Sequence, residues 1–204
     1  MNNEVAKIYE SSRIFPVAYS SKEIDLAINT SKSGVLLLGR VLNVMNAKRI
    51  VSYVKNNRKQ VFVDIDLVGG LNQDEESINF LTREVGADGI ISTHRNTILL
   101  AKKKKVMTML KIFVYDDHSL DSALHNIDQC HPDILEVLPG IVLPLVVEKI
   151  KKRTDTLVNA SGFLDLNIES IAHLLNIGVS GLHIDNPELW NFDTGGHLLS
   201  KQED

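Results

Sequence analysis

Residues 61–76, VFVDIDLVGGLNQDEE, pass from a β-branched apolar run through a glycine pair to a helix start. The run at 61–65 reads as a strand. Asp74, Glu75 and Glu76 then supply a capping residue and acids where a helix macrodipole favours negative charge. The same strand-then-helix unit recurs along the chain. Apolar runs at 14–18, 34–38, 89–92, 106–113, 133–138, 156–160 and 179–184 join 61–65 to make eight. Between them lie stretches with helical spacing, such as Val44, Ala47, Ile50, Val51 and Val54. Units of about 24 residues are just long enough for a βαβ crossover with lean loops.

Alternating strands and helices imply a parallel sheet covered by helices, either open and doubly wound or closed. Eight units favour closure, so the expected fold is α/β, a compact TIM-like (β/α)8 barrel. Such barrels more often take about 250 residues. At 204 residues, short helices and some irregular units are expected, thinnest in the fourth and eighth. No Pro/Gly/Ser-rich linker interrupts the pattern, which reads as one domain over 1–204, and GGHLLSKQED at the end reads as a frayed tail.

Composition narrows the function. The single cysteine, Cys130, rules out an internal disulfide framework and fits a reducing compartment. No apolar run approaches the roughly 20 residues of a membrane span, and the start MNNEVAKIYESSR has no signal-peptide core, so a cytoplasmic protein is expected. A net charge of −4 and 5% aromatic residues argue against binding nucleic acid by overall charge or by stacking platforms. No P-loop, dinucleotide fingerprint or G-x-S-x-G is present.

In a parallel barrel, ligands bind where the strand C-termini and βα loops converge. Polar residues crowd those ends here: Gly39 and Arg40 after the second strand, Asp64 and Asp66 on the third, Thr93 and His94 after the fourth, and Lys111 on the fifth. Glu136 and Gly140 follow on the sixth, Ser161 and Gly162 on the seventh, and His183, Asp185 and Asn186 on the eighth. Asp66 and Asn186 are equally readable as helix N-caps. Asp64 and Glu136 sit among apolar neighbours, where an ionised carboxylate is costly unless paired, and that favours a functional role. The Ser161-Gly162 pair stands where barrels cradle phosphate with backbone N–H groups. His183 with Asp185 forms an H-x-D on one strand face, read as structural, and no cofactor or metal is expected.

Two basic runs, Lys102, Lys103, Lys104 and Lys105, and then Lys151, Lys152 and Arg153 with Lys149, fall at helix ends. Cations there suit the helix dipole, and they could equally contact RNA phosphates without reading bases.

The pieces FVDIDLVGGLNQDEE, DGIISTH, DILEVLPGIV, ASGF and DNPELW, in this order and spacing, resemble the GlpP family, the glycerol uptake operon antiterminator regulatory proteins. The resemblance implies a TIM-barrel-like regulator, not an enzyme, that senses glycerol 3-phosphate as effector and binds leader mRNA. Asp64, Asp66, Thr93, His94, Lys111, Glu136, Gly140, Ser161, Gly162, Asp185 and Asn186 are then its expected ligand residues, and homo-oligomers are an open expectation. Several positions depart from the family pattern. Histidine is usual at Asp64, Lys or Arg at His94, Gln-Arg at Leu110-Lys111, and Ser or Thr near Asp185. A phosphate about 5 Å from Asp185 would meet roughly 3 kcal/mol of repulsion per unit charge at an effective dielectric near 20. Weakened glycerol 3-phosphate binding is therefore expected. The competing readings are a barrel enzyme with Glu136 or Asp64 as base and Lys111 as electrostatic partner, and a metal sensor built from Asp64, Asp66, Glu136, Asp185, His94 and His183.

Overall fold

A computed structural model describes residues 12–164 and 168–191; the tail GGHLLSKQED and residues 1–11 lie outside the described residues. All eight expected strands form: β1 (Ile14–Ala18), β2 (Val35–Leu38), β3 (Gln60–Asp64), β4 (Gly89–Ser92), β5 (Met107–Phe113), β6 (Ile134–Leu138), β7 (Leu157–Ser161) and β8 (Gly181–Ile184). Each pairs in parallel with the next, and β8 closes on β1 through Ile14 opposite Leu182 and Phe15 opposite His183. The open sheet is thereby excluded.

Seven helices are described outside this barrel: α1 (Ser21–Thr30), α2 (Ala47–Asn56), α3 (Glu75–Asn79), α4 (Arg95–Lys103), α5 (Asp117–Cys130), α6 (Leu143–Arg153) and α7 (Ile168–Asn176). Asp74 caps α3 by accepting from Ser77 N at 2.9 Å, as the acid-rich start predicts. A π-helical turn, Phe80–Val85, continues α3 until Gly86 ends it at φ +81°, a conformation that suits glycine. The irregular unit is thus the third, not the fourth. Thr97, Ile98 and Ala101 give α4 a buried face, and its nine residues are regular. The eighth unit is thin as expected: after β8 the described chain makes only the short 3₁₀ turn Pro187–Leu189, and Trp190 is buried with its indole N–H donating to Ile184 O at 2.8 Å.

Strand alternation separates two apolar cores. Leu36, Val63, Ile90, Leu110, Leu135 and Val158 face the helices. Phe15, Val35, Leu37, Phe62, Met109 and Ile134 fill the barrel interior. A Cβ on Gly89 would stand 2.2 Å from the Phe62 ring, so this glycine lets the aromatic ring lie across β4. Continuing the interior parity upward puts Asp64, Lys111, Glu136, Asn159 and His183 inside the barrel, above the apolar plug. Among the described residues, no helix is long and apolar enough to cross a membrane.

Candidate functional site

The interior residues at the strand C-termini form one connected set. Lys111 on β5 donates through Nζ to Asp64 Oδ2 on β3. Its register partner on β6 is Glu136, which in turn lies opposite Asn159 on β7. His183 on β8 reaches Glu136 Oε1 through Nδ1 at 2.8 Å, and Asn159 Nδ2 through Nε2 at 2.9 Å. That spacing fits a neutral imidazole with Nδ1–H donating to the carboxylate and Nε2 accepting from the amide. The chain therefore commits both ring nitrogens internally.

All four polar side chains of this set other than Lys111 are buried: Asp64 is 7% exposed, Glu136 5%, His183 3% and Asn159 1%. Burial pushes the Asp64 carboxyl up to about 6, against the pull of the Lys111 ammonium beside it. Burial also opposes the Lys111 charge, but Asp64 and Glu136 more than compensate and hold its ammonium above the usual range. For Glu136 burial is again outweighed, by His183 and Lys111, so its carboxyl stays below the ordinary value. One oxygen of each acid, Asp64 Oδ1 and Glu136 Oε2, is buried without a hydrogen-bond partner.

Asp64, Lys111 and Glu136 line a cavity of about 570 Å³ at the barrel mouth, walled also by Tyr19, Arg40 and Ser161 with Leu37, Leu38, Ile91 and Phe113 as apolar neighbours. A smaller recess of about 200 Å³ adjoins it and takes in Ser161, Gly162, Phe163, His183 and Asp185. Burial, then the Asp185 and Glu136 charges, raise the Tyr19 phenol between the two spaces.

Of the residues expected at the site, Asp64, Lys111, Glu136 and Ser161 meet in the large cavity, and Gly162 and Asp185 border the recess. The others do different things. Asp66 faces β4 from the 3₁₀ turn Ile65–Leu67, accepting from Ser92 Oγ at 2.7 Å, Thr93 N at 2.6 Å and Thr93 Oγ1 at 2.8 Å. It ties two strand ends together and is no helix cap; Asp74 has that role. Thr93 is consumed in this tie, and His94 is exposed at the start of α4, its N–H donating to Ser92 Oγ at 3.0 Å. Gly140 N donates to Gly162 O at 2.7 Å, joining the loops after β6 and β7. Asn186 does cap the last 3₁₀ turn, accepting from Glu188 N at 3.1 Å. Among the described residues, no three His, Cys, Asp or Glu side chains group to hold a metal, so the six-residue metal set does not assemble.

The sequence reading underrated His183, Asn159 and Arg40. The interior parity of His183 and Asn159 with Glu136 was legible, but their side-chain pairing across β6, β7 and β8 was not, and Arg40 reaches the cavity wall from beyond the end of β2.

Both basic runs lie just before strand starts, at the barrel end opposite the cavity. They converge on the last turn of α5. Lys102 Nζ donates to His131 O, and Arg153 Nε donates to Asp128 Oδ2 at 2.9 Å. Lys104 pairs with Glu75 at 2.6 Å.

Fold and site together define a (β/α)8 barrel protein with a charged, ligand-sized cavity at the C-terminal mouth. Residues 14–190 match the family described as glycerol-3-phosphate responsive antiterminator, and the chain belongs to that family. The uncharacterized protein YgcP of Escherichia coli (strain K12) is 30% identical over 171 residues, 82% of this chain and 85% of that protein. Among solved structures, the glycerol uptake operon antiterminator regulatory protein of Listeria monocytogenes is similar at TM-score 0.81 and 29% identity, over 87% of this chain and 94% of that one. A glycerol uptake operon antiterminator-related protein from Thermotoga maritima gives 0.77 and 30%, over 87% and 96%. Orotidine 5'-phosphate decarboxylase from Pyrococcus horikoshii shares the fold alone, at TM-score 0.65 and 13% identity, over 91% and 95%.

Proposed function

We propose that this chain is a cytoplasmic, RNA-binding transcription antiterminator that acts on the leader mRNA of a target operon and responds to a small effector in the barrel-mouth cavity. The match of residues 14–190 to the antiterminator family carries this reading. The site chemistry supports binding over catalysis. His183 spends both ring nitrogens on Glu136 and Asn159, and Lys111 is held charged against Asp64, so neither of these two acts as base or nucleophile, and the carboxylates they pair with are engaged by protein cation and imidazole.

The RNA contacts of this reading are Lys102, Lys103, Lys104, Lys105, Lys151, Lys152 and Arg153, two runs of which Lys102 and Arg153 touch the end of α5. The effector departs from the family's glycerol 3-phosphate because Asp64 and Asp185 bring negative charge to the cavity and its recess. The decisive experiment is in vitro transcription across the leader terminator of a glycerol-uptake operon. Added protein raises read-through, and replacing Lys102 to Lys105 by alanine flattens the salt dependence of leader binding by a few units of slope. Unchanged read-through with the wild-type chain rules the reading out; an unchanged slope in the variant removes the lysines from it.

A further inference from the structure

The effector cavity contains a hydrogen-bonding pattern that selects its ligand. Asp64 and Glu136 are each more than nine-tenths buried, and both line the 570 Å³ cavity. Each uses one oxygen on a protein cation or imidazole and leaves the other, Oδ1 and Oε2, without a partner. A buried acceptor left unpaired costs about as much as a lost hydrogen bond, so these two oxygens call for donors. Lys111 stands opposite Glu136 in register and is bonded to Asp64, and an ammonium carries three N–H donors. The array therefore offers two acceptors and a donor.

Three ligand chemistries can be compared against it. A phosphate can accept from Lys111 and Arg40 but offers no donor to either carboxylate, and it brings negative charge against Asp64 and Glu136, with a third carboxylate, Asp185, at the adjoining recess. An ammonium suits the carboxylates but cannot accept from Lys111, and it adds charge beside that cation and beside Arg40 in the cavity wall. A hydroxyl donates and accepts at once. Neighbouring hydroxyls can donate to Asp64 Oδ1 and Glu136 Oε2 while their oxygens accept from Lys111. Leu37, Leu38 and Ile91 supply apolar surface for a carbon backbone, and the volume falls within the range of small-molecule sites.

The geometry points to an uncharged polyol as the ligand of this cavity, with vicinal hydroxyls held by Asp64, Lys111 and Glu136. This rests on the cavity being the effector site. Isothermal titration of the full chain against glycerol, erythritol, xylitol, glycerol 3-phosphate and 2-amino-1,3-propanediol tests it. At least one uncharged polyol binds tenfold or more tightly than glycerol 3-phosphate and the amine, and Glu136→Gln, which loses the anionic acceptor at nearly constant shape, weakens that polyol at least tenfold. Tighter binding of the phosphate or the amine overturns the inference, as does the absence of binding by every polyol. Should Glu136→Gln fail to fold, the ranking on the unaltered chain decides alone. Terminator read-through is measured separately, so an antiterminator that ignores polyols is distinguishable from a barrel that is no antiterminator.

Discussion

The two ends of the barrel use buried charge in opposite ways. At the N-terminal end, charged groups are spent on the backbone. Lys59 Nζ donates to Ser31 O at 2.9 Å and Ser33 O at 2.7 Å. Asp88 accepts from Val61 N at 2.9 Å and from Lys55 at 2.8 Å, and Asp133 accepts from Thr108 N at 2.9 Å and Thr108 Oγ1 at 2.8 Å. These bonds stitch neighbouring strands, mostly through their backbone. At the mouth, Asp64 and Glu136 pair with other side chains and each keeps one oxygen unpartnered. A charge satisfied by backbone braces the fold; a charge satisfied only by other side chains, and only in part, stays available to a ligand.

The largest test of this contrast is Lys111→Met. It strands Asp64 as a buried, unpaired carboxylate, and breaking such a pair costs about 3–5 kcal/mol. The expected loss, read by chemical denaturation, is full at pH 8 and shrinks at pH 5, where the stranded carboxyl escapes by protonation. The double variant Lys111→Met/Asp64→Leu recovers most of it. The sign follows from linkage: with its carboxyl raised from 3.8 to about 6, the charged form of Asp64 destabilises the fold, by nothing below about pH 4 and by up to roughly 3 kcal/mol above pH 6. Asp64→Asn should accordingly remove a fall in stability between those two pH values. Glu136 works the other way, its depressed carboxyl stabilising above the usual carboxylate range and losing that contribution on acidification.

At the opposite end, Lys59→Met leaves two carbonyls without their donor. The cost is about 1–3 kcal/mol in stability with no change in effector affinity, since Lys59 is remote from the cavity. A loss of effector affinity in this variant would break the division between the two ends. The smallest effect is expected at the recess. Asp185→Ser removes a charge from its wall, and titration should show glycerol 3-phosphate affinity rising by about tenfold, roughly 1.4 kcal/mol, with stability unchanged.

How much of this was legible beforehand depends on the range of the physical cause. Short β-branched apolar runs and the capping acids at Asp74 act over a few residues, so strand positions and the start of α3 could be read from the chain directly. The irregular third unit could not. Nothing local in Phe80–Val85 announces a π-helical turn. Asp66 shows the same boundary from the site's side: its position at a strand end was plain, but whether it capped a helix, met a ligand or tied β3 to β4 depended on where Ser92 and Thr93 stood.

By itself, the sequence determined the eightfold alternation, the placing of polar residues at strand C-termini and the family to which the motifs belong, because each rests on patterns within one short segment. Only the tertiary structure decided that β8 closes on β1, that Asp64, Lys111 and Glu136 meet in one cavity with His183 bonded to Glu136 from the adjoining recess, and that two basic runs about 45 residues apart flank the end of one helix. Those facts depend on barrel closure, which brings distant strands into register and sets the hydrogen-bond partners of each buried charge.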